Sequence, residues 1–175
     1  MKRRHLLVTL GVFLVAPLAS GQRPAKIRRI AVLMGGIKDP TWVEALRDSL
    51  KQRGWIDQHN VVIEYRWAEG DASLMRRYAT ELVNGKPDII VVRSATALRE
   101  ASRAAGEIPI VFVSVSDPVG NGFVQSLARP GRNITGFSNL DYDMAGKWLQ
   151  LLREVAPRVK RVLVLQSPNN PNWPG

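Results

Sequence analysis

The chain predicts an α/β fold, a three-layer αβα arrangement around a mostly parallel sheet. Three observations carry this. Short, continuous, β-branched runs recur, as in RIAVLM at Arg29–Met34, DIIVV at Asp88–Val92 and the stretch at Pro109–Val113. Runs of this kind suit strands buried on both faces. Between them lie segments with helical apolar spacing and capping residues at their ends. The two patterns alternate along the chain, and β-α-β repetition with short connections gives a parallel sheet covered by helices on both sides. Composition agrees with a packed domain, with 45% hydrophobic and 23% charged residues.

Arg29–Met34 is the first strand. Asp39–Arg53 follows as a helix. Asp39 is its N-cap, Pro40 suits the first turn, Val43, Leu46 and Leu50 give the apolar spacing, and Gly54 stops it. Asn60–Trp67 is the second strand. Asp71–Asn84 is the second helix, with Leu74, Tyr78 and Leu82 on one face and Gly85 beyond. Asp88–Val92 is the third strand and Thr96–Ala105 the third helix. Pro109–Val113 is the fourth strand, followed by a short helical piece at Gly122–Ala128. Asn133–Gly136 is a short fifth strand, Asp141–Val155 a long helix and Arg161–Leu165 a sixth strand. The last ten residues, QSPNNPNWPG, are rich in turn formers.

The first residues read as a cleavable export signal covering 1–21. Lys2, Arg3 and Arg4 precede an uncharged apolar run from Leu6 to Ala19, and Ala19-Ser20-Gly21 offers small residues for cleavage. The run is shorter than the roughly 20 residues a spanning helix needs. The chain has no cysteine, which closes the lipoprotein route and rules out disulfides and thiolate metal sites. The expected location is therefore the periplasm. The formal charge is +10; three of those charges lie in the leader, and without them 22 basic residues face 15 acidic ones, a net of +7. Basic residues such as Arg47, Lys51, Arg53, Arg76 and Arg77 have acidic neighbours and no interleaved aromatics, which reads as a solvated surface rather than a nucleic-acid face.

Catalytic chemistry finds few candidates. His5 lies in the leader and His59 in a turn at the far end of the sheet, so serine and cysteine nucleophiles have no base. No acid–histidine pair has metal-ligand spacing, no GxxxxGK[ST] loop is present, and no GxGxxG follows the first strand. No catalytic residue, metal or cofactor is expected. What remains is a set of small and hydroxyl-bearing residues where strands end: Gly35 and Gly36; Ser94, Ala95 and Thr96; Ser114, Ser116, Asp117 and Pro118; Phe137, Ser138 and Asn139. In open α/β sheets ligands sit at those strand ends. Helix-start amides and hydroxyls there suit a carboxylate, and an aspartate suits an ammonium, so the set fits an amino-acid zwitterion. Each residue also has a local explanation as a cap or turn former.

Two segments carry a resemblance. DPVGNGFVQSLARPGRNITG at Asp117–Gly136 and IEYRWAEGD at Ile63–Asp71 closely resemble the solute-binding proteins of ABC importers, in the branch with tryptophan and other aromatic amino-acid receptors. The resemblance runs from about Ile27 onward. It implies two α/β lobes of the Rossmann-like, type I periplasmic-binding-protein fold, a small solute in the cleft between them, and delivery to an ABC permease of the inner membrane, through which alone the protein meets the membrane. It further implies that Gly35, Ser94, Thr96, Asp117 and Ser138 approach ligand. The loop after the third strand often reads Gly-Thr-Pro in relatives and here reads Arg93-Ser94-Ala95-Thr96.

On this reading 27–137 forms an N-terminal lobe and 138–175 the start of a second, incomplete one, so the chain is expected to be truncated within the second lobe. A rival arrangement packs Asp141–Leu165 back onto the first lobe. Two other functions stay open: a ligand-sensing receptor domain, which uses the same lobes, and a Rossmann-like enzyme, which would need a phosphate loop or a proton-transfer residue at the strand mouths.

Overall fold

The computed structural model describes residues 26–139 and 143–163. Nine elements follow one another: β1 (Arg28–Met34), α1 (Pro40–Gln52), β2 (Val61–Trp67), α2 (Ala72–Asn84), β3 (Ile89–Arg93), α3 (Ala95–Ala104), β4 (Ile110–Val115), β5 (Ile134–Ser138) and α4 (Asp143–Val155). The five strands form one parallel sheet in the order β2-β1-β3-β4-β5. The expected α/β fold with a parallel sheet is therefore the one observed.

Side-chain alternation divides the strands between two apolar layers. Ala31, Leu33, Ile90, Val92, Ile110, Phe112 and Ile134 face α2 and α3, where Met75, Ala79, Leu82, Leu98 and Ala101 complete the main core. Small residues on α3 let that helix approach the strands closely. The opposite residues, Val32, Met34, Val61 and Ile63, meet Trp42, Leu46 and Leu50 of α1. That second layer is narrower. α1 covers β1 and β2, while Val111 and Val113 stay half-buried and Phe137 is 73% exposed.

The caps form as expected. Asp39 accepts from the Trp42 N–H and Asp71 from the Ser73 and Leu74 N–H groups. Gly54 adopts φ +83°, the left-handed conformation that ends α1. After α2 that role falls to Lys86 (φ 51°), because Gly85 itself stays right-handed. Ser94, expected as a mouth residue with a cap as its local explanation, does cap α3, which starts at Ala95.

Two expectations are corrected. Gly122–Ala128 is not helical. Gly122 takes φ +72°, the Phe123 N–H donates to the Pro118 carbonyl, and the Ser126 hydroxyl accepts from the Arg129 N–H. These contacts fold the segment into successive turns, held down by buried Val124. The expected strand at Arg161–Leu165 is absent over 161–163, where no sheet neighbour is present; 164–165 lie outside the described residues. The export signal, Asp141 and the last ten residues also lie outside them. α4 leaves its large apolar side chains in solvent, with Trp148, Leu149 and Leu151 all exposed, so it does not close the open half of the α1 side.

Candidate functional site

Because every strand runs the same way, the carboxyl ends of β1, β3, β4 and β5 gather along one edge. The strand order changes direction between β1 and β3, so the connections after these strands leave to opposite faces of the sheet. The loops part there and open a crevice, the place where α/β sheets bind ligands. A cleft of about 530 Å³ lies at that point. Met34 and Gly36 line it from β1, Lys38 and Asp39 from the start of α1, Arg93 and Ser94 from β3, and Ser114 and Asn139 from the β4–β5 side.

Local chemistry explains the walls. The Gly35 N–H donates to the Arg93 carbonyl at 3.1 Å, which draws the β1 and β3 loops together. A Cβ on Gly35 would fall on the Ser94 hydroxyl, so this approach requires glycine. Ser94 is buried, with φ 126°, and its Oγ accepts from the Ala97 N–H at 3.1 Å. Asp39 caps α1 through Oδ1 (Trp42 N–H, 3.1 Å) and pairs through Oδ2 with Arg93 Nη1 at 3.3 Å. Lys38 Nζ lies 5.6 Å from the Trp67 ring centroid, a cation–π distance. The register between β4 and β5 shifts between Val113 and Val115, and Ser114 there takes φ 55°.

The sequence-predicted residues divide into three groups. Gly36 and Ser94 line the cleft, as do Ser114 and Asn139 from the wider set. Gly35, Ala95, Ser116, Asp117 and Pro118 build its frame. Buried Ser116 donates to Asn139 Oδ1 at 3.3 Å, and the Asp117 carboxylate accepts from the Gly120 N–H at 2.8 Å, holding the turn that starts at buried Pro118. Thr96, Phe137 and Ser138 are not among the lining residues; Thr96 lies one residue inside α3, and Phe137 and Ser138 belong to β5 rather than following it.

Lys38 and Arg93 were missed as site residues. Each lies within two positions of a predicted one, so cations beside a strand mouth were the available signal.

The cleft thus offers hydroxyls, one carboxamide, two cations and a carboxylate already in use. It contains no histidine or cysteine, and no group of three His, Cys, Asp or Glu side chains able to hold a metal occurs among the described residues. Such a set can hold and orient a small polar molecule; among the described residues it has no proton-transfer pair.

Comparison with known proteins gives concordant results. The profile of the family described as ABC transporter substrate binding protein matches residues 30–173. A tyrosine-binding protein of Clostridioides difficile is 32% identical over 124 residues, 71% of this chain and 35% of its own length. A conserved domain protein of Vibrio cholerae superposes with TM-score 0.72 at 31% identity, over 84% of this chain and 50% of that one. An ABC domain from Streptococcus pneumoniae in complex with L-Trp superposes with TM-score 0.64 at 27% identity, over 76% of this chain and 45% of that one. The chain therefore spans about a third of the curated relative (35%) and half of the Vibrio structure (50%).

Proposed function

The chain belongs to the ABC transporter substrate-binding protein family, and from that membership we propose that its strand-end cleft is one wall of the solute site of an importer. The family is one of solute-binding proteins, not enzymes. The observation that carries the proposal is the position of the cleft, between the carboxyl ends of β1 and β3 where the strand order reverses.

The proposed lobe covers 27–137, with 138–175 beginning a second lobe that would supply the facing wall. The proposed residues at the solute are Gly36, Ser94 and Asn139, with Gly35, Ser116 and Asp117 holding the loops that carry them. The relatives' named ligands, tyrosine and tryptophan, support an amino acid or related small solute. The leader at 1–21 supports export, release into the periplasm and delivery of solute to an inner-membrane permease. No helix among the described residues is long and apolar enough to cross a membrane.

A thermal-shift screen with millimolar amino acids and small organic acids tests the site. At least one compound raises the melting temperature, since a ligand that binds only the folded state stabilises it by mass action. Asn139→Ala abolishes the shift. Arg76→Ala, at a side chain 74% exposed on α2, leaves it intact. No shift with any compound, or equal loss in both variants, would contradict the assignment.

A further inference from the structure

We infer that the solute held by this lobe is a net anion, an organic acid whose carboxylate sits between Lys38 and Arg93. The inference rests on the solute-binding reading above and deepens it.

Among the residues lining the cleft, the charged side chains are Lys38, Arg93 and Asp39. Two cations and one carboxylate leave a surplus of one positive charge. That carboxylate is occupied at both oxygens, Oδ1 by the Trp42 N–H and Oδ2 by Arg93. Asp117, a further acid at the mouths, is turned to the Gly120 N–H and does not line the cleft. Among the described residues, a solute ammonium therefore meets no carboxylate on this wall that lacks a partner, and it meets two cations that repel it.

An anion meets the opposite conditions. The Arg93–Asp39 ion pair uses one of the guanidinium's five N–H donors. Its 3.3 Å separation is longer than a strong charge-assisted bond. A solute carboxylate can thus engage the planar fork without first breaking the pair. Lys38 is held at the rim by the Trp67 ring, which occupies one side of the ammonium only.

Three probes with one aromatic body and different charge test this: 3-phenylpropionate (anion), L-phenylalanine (zwitterion) and phenethylamine (cation). Each is titrated into the 175-residue chain while the amide resonances of Gly36, Lys38, Asp39 and Ser94 are followed by NMR. The anion binds about tenfold more tightly than the zwitterion, and the cation causes no shift at these amides. Arg93→Ala weakens the anion by about tenfold, Arg93→Lys, which keeps the charge and loses the planar fork, recovers only part of that loss, and the zwitterion, which carries the same carboxylate, is weakened in the same direction. Added salt weakens the anion selectively. The three-probe ranking uses the unaltered chain, so it stands even if a variant folds poorly. A zwitterion that binds as tightly as the anion, or an anion that ignores Arg93→Ala, would overturn the charge assignment while leaving the solute-binding reading intact. Shifts from none of the three would overturn the charge assignment, and the solute-binding reading is then decided by the thermal-shift screen.

Discussion

Gly136 sits where β4 and β5 approach most closely. A Cβ there would fall on the Phe112 carbonyl oxygen, with the Phe112 Cγ at 2.6 Å and its amide nitrogen at 2.7 Å. These are backbone atoms and a fully buried ring, so they cannot move aside. Gly136→Ala should destabilise the protein by about 3 kcal/mol or more, read as a drop in thermal or urea midpoint. At the other end of the sheet Asp88 accepts from the Arg29 N–H, Lys26 and Arg28. The Arg29 amide first, then the two cations, hold its carboxyl well below the usual aspartate range. A carboxylate with a lowered folded-state pKa contributes stability above its unfolded pKa, about 3.9, and that contribution is lost as pH falls toward the folded value. Melting temperature should therefore fall between pH 5 and pH 2 more steeply in the unaltered chain than in Asp88→Asn. Parallel curves for the two would refute this role, which the strong exposure of Lys26 (74%) and Arg28 (53%) already limits.

The elements that were legible in the sequence are those whose signals are local. Asp39, Asp71 and Gly54 mark helix ends by chemistry within four residues, and the apolar runs mark strands that both faces bury. Gly122–Ala128 was misread because its apolar spacing suggests a helical turn, whereas Gly122, Pro118 and the Ser126 hydroxyl direct its backbone hydrogen bonds into turns. α4 shows the reverse case: the helix was legible, yet no partner for its apolar side chains is present among the described residues, and Val155 is 84% exposed. An isolated helix of 13 residues is marginal in water. Brief trypsin treatment should therefore cut first at Lys147 or Arg153 and leave the sheet with α1–α3 as the resistant fragment. Protection of α4 equal to that of α2 would show that it packs against the rest of the chain.

At the scale of the molecule, the mouths could be named from the sequence because parallel strands place their carboxyl ends on one edge. Which mouths share a cleft could not. That depends on the order β2-β1-β3-β4-β5, set by long-range pairing such as Val32 with Val91 and Val92 with Phe112. Hence Gly36 and Ser94 meet in one cleft, Arg93 joins them, and Phe137 does not. Among the described residues the α1 side of the sheet stays half uncovered and α4 is unpacked, and the chain spans half or less of the relatives compared. All three fit a lobe that supplies one wall of a two-walled site. Calorimetric titration of the 175-residue chain with tyrosine, tryptophan and small organic acids, beside a two-lobed relative as control, decides the matter. One wall should leave the chain without micromolar affinity for a solute the control binds. Micromolar or tighter binding by the chain alone would contradict the division of the site between two lobes.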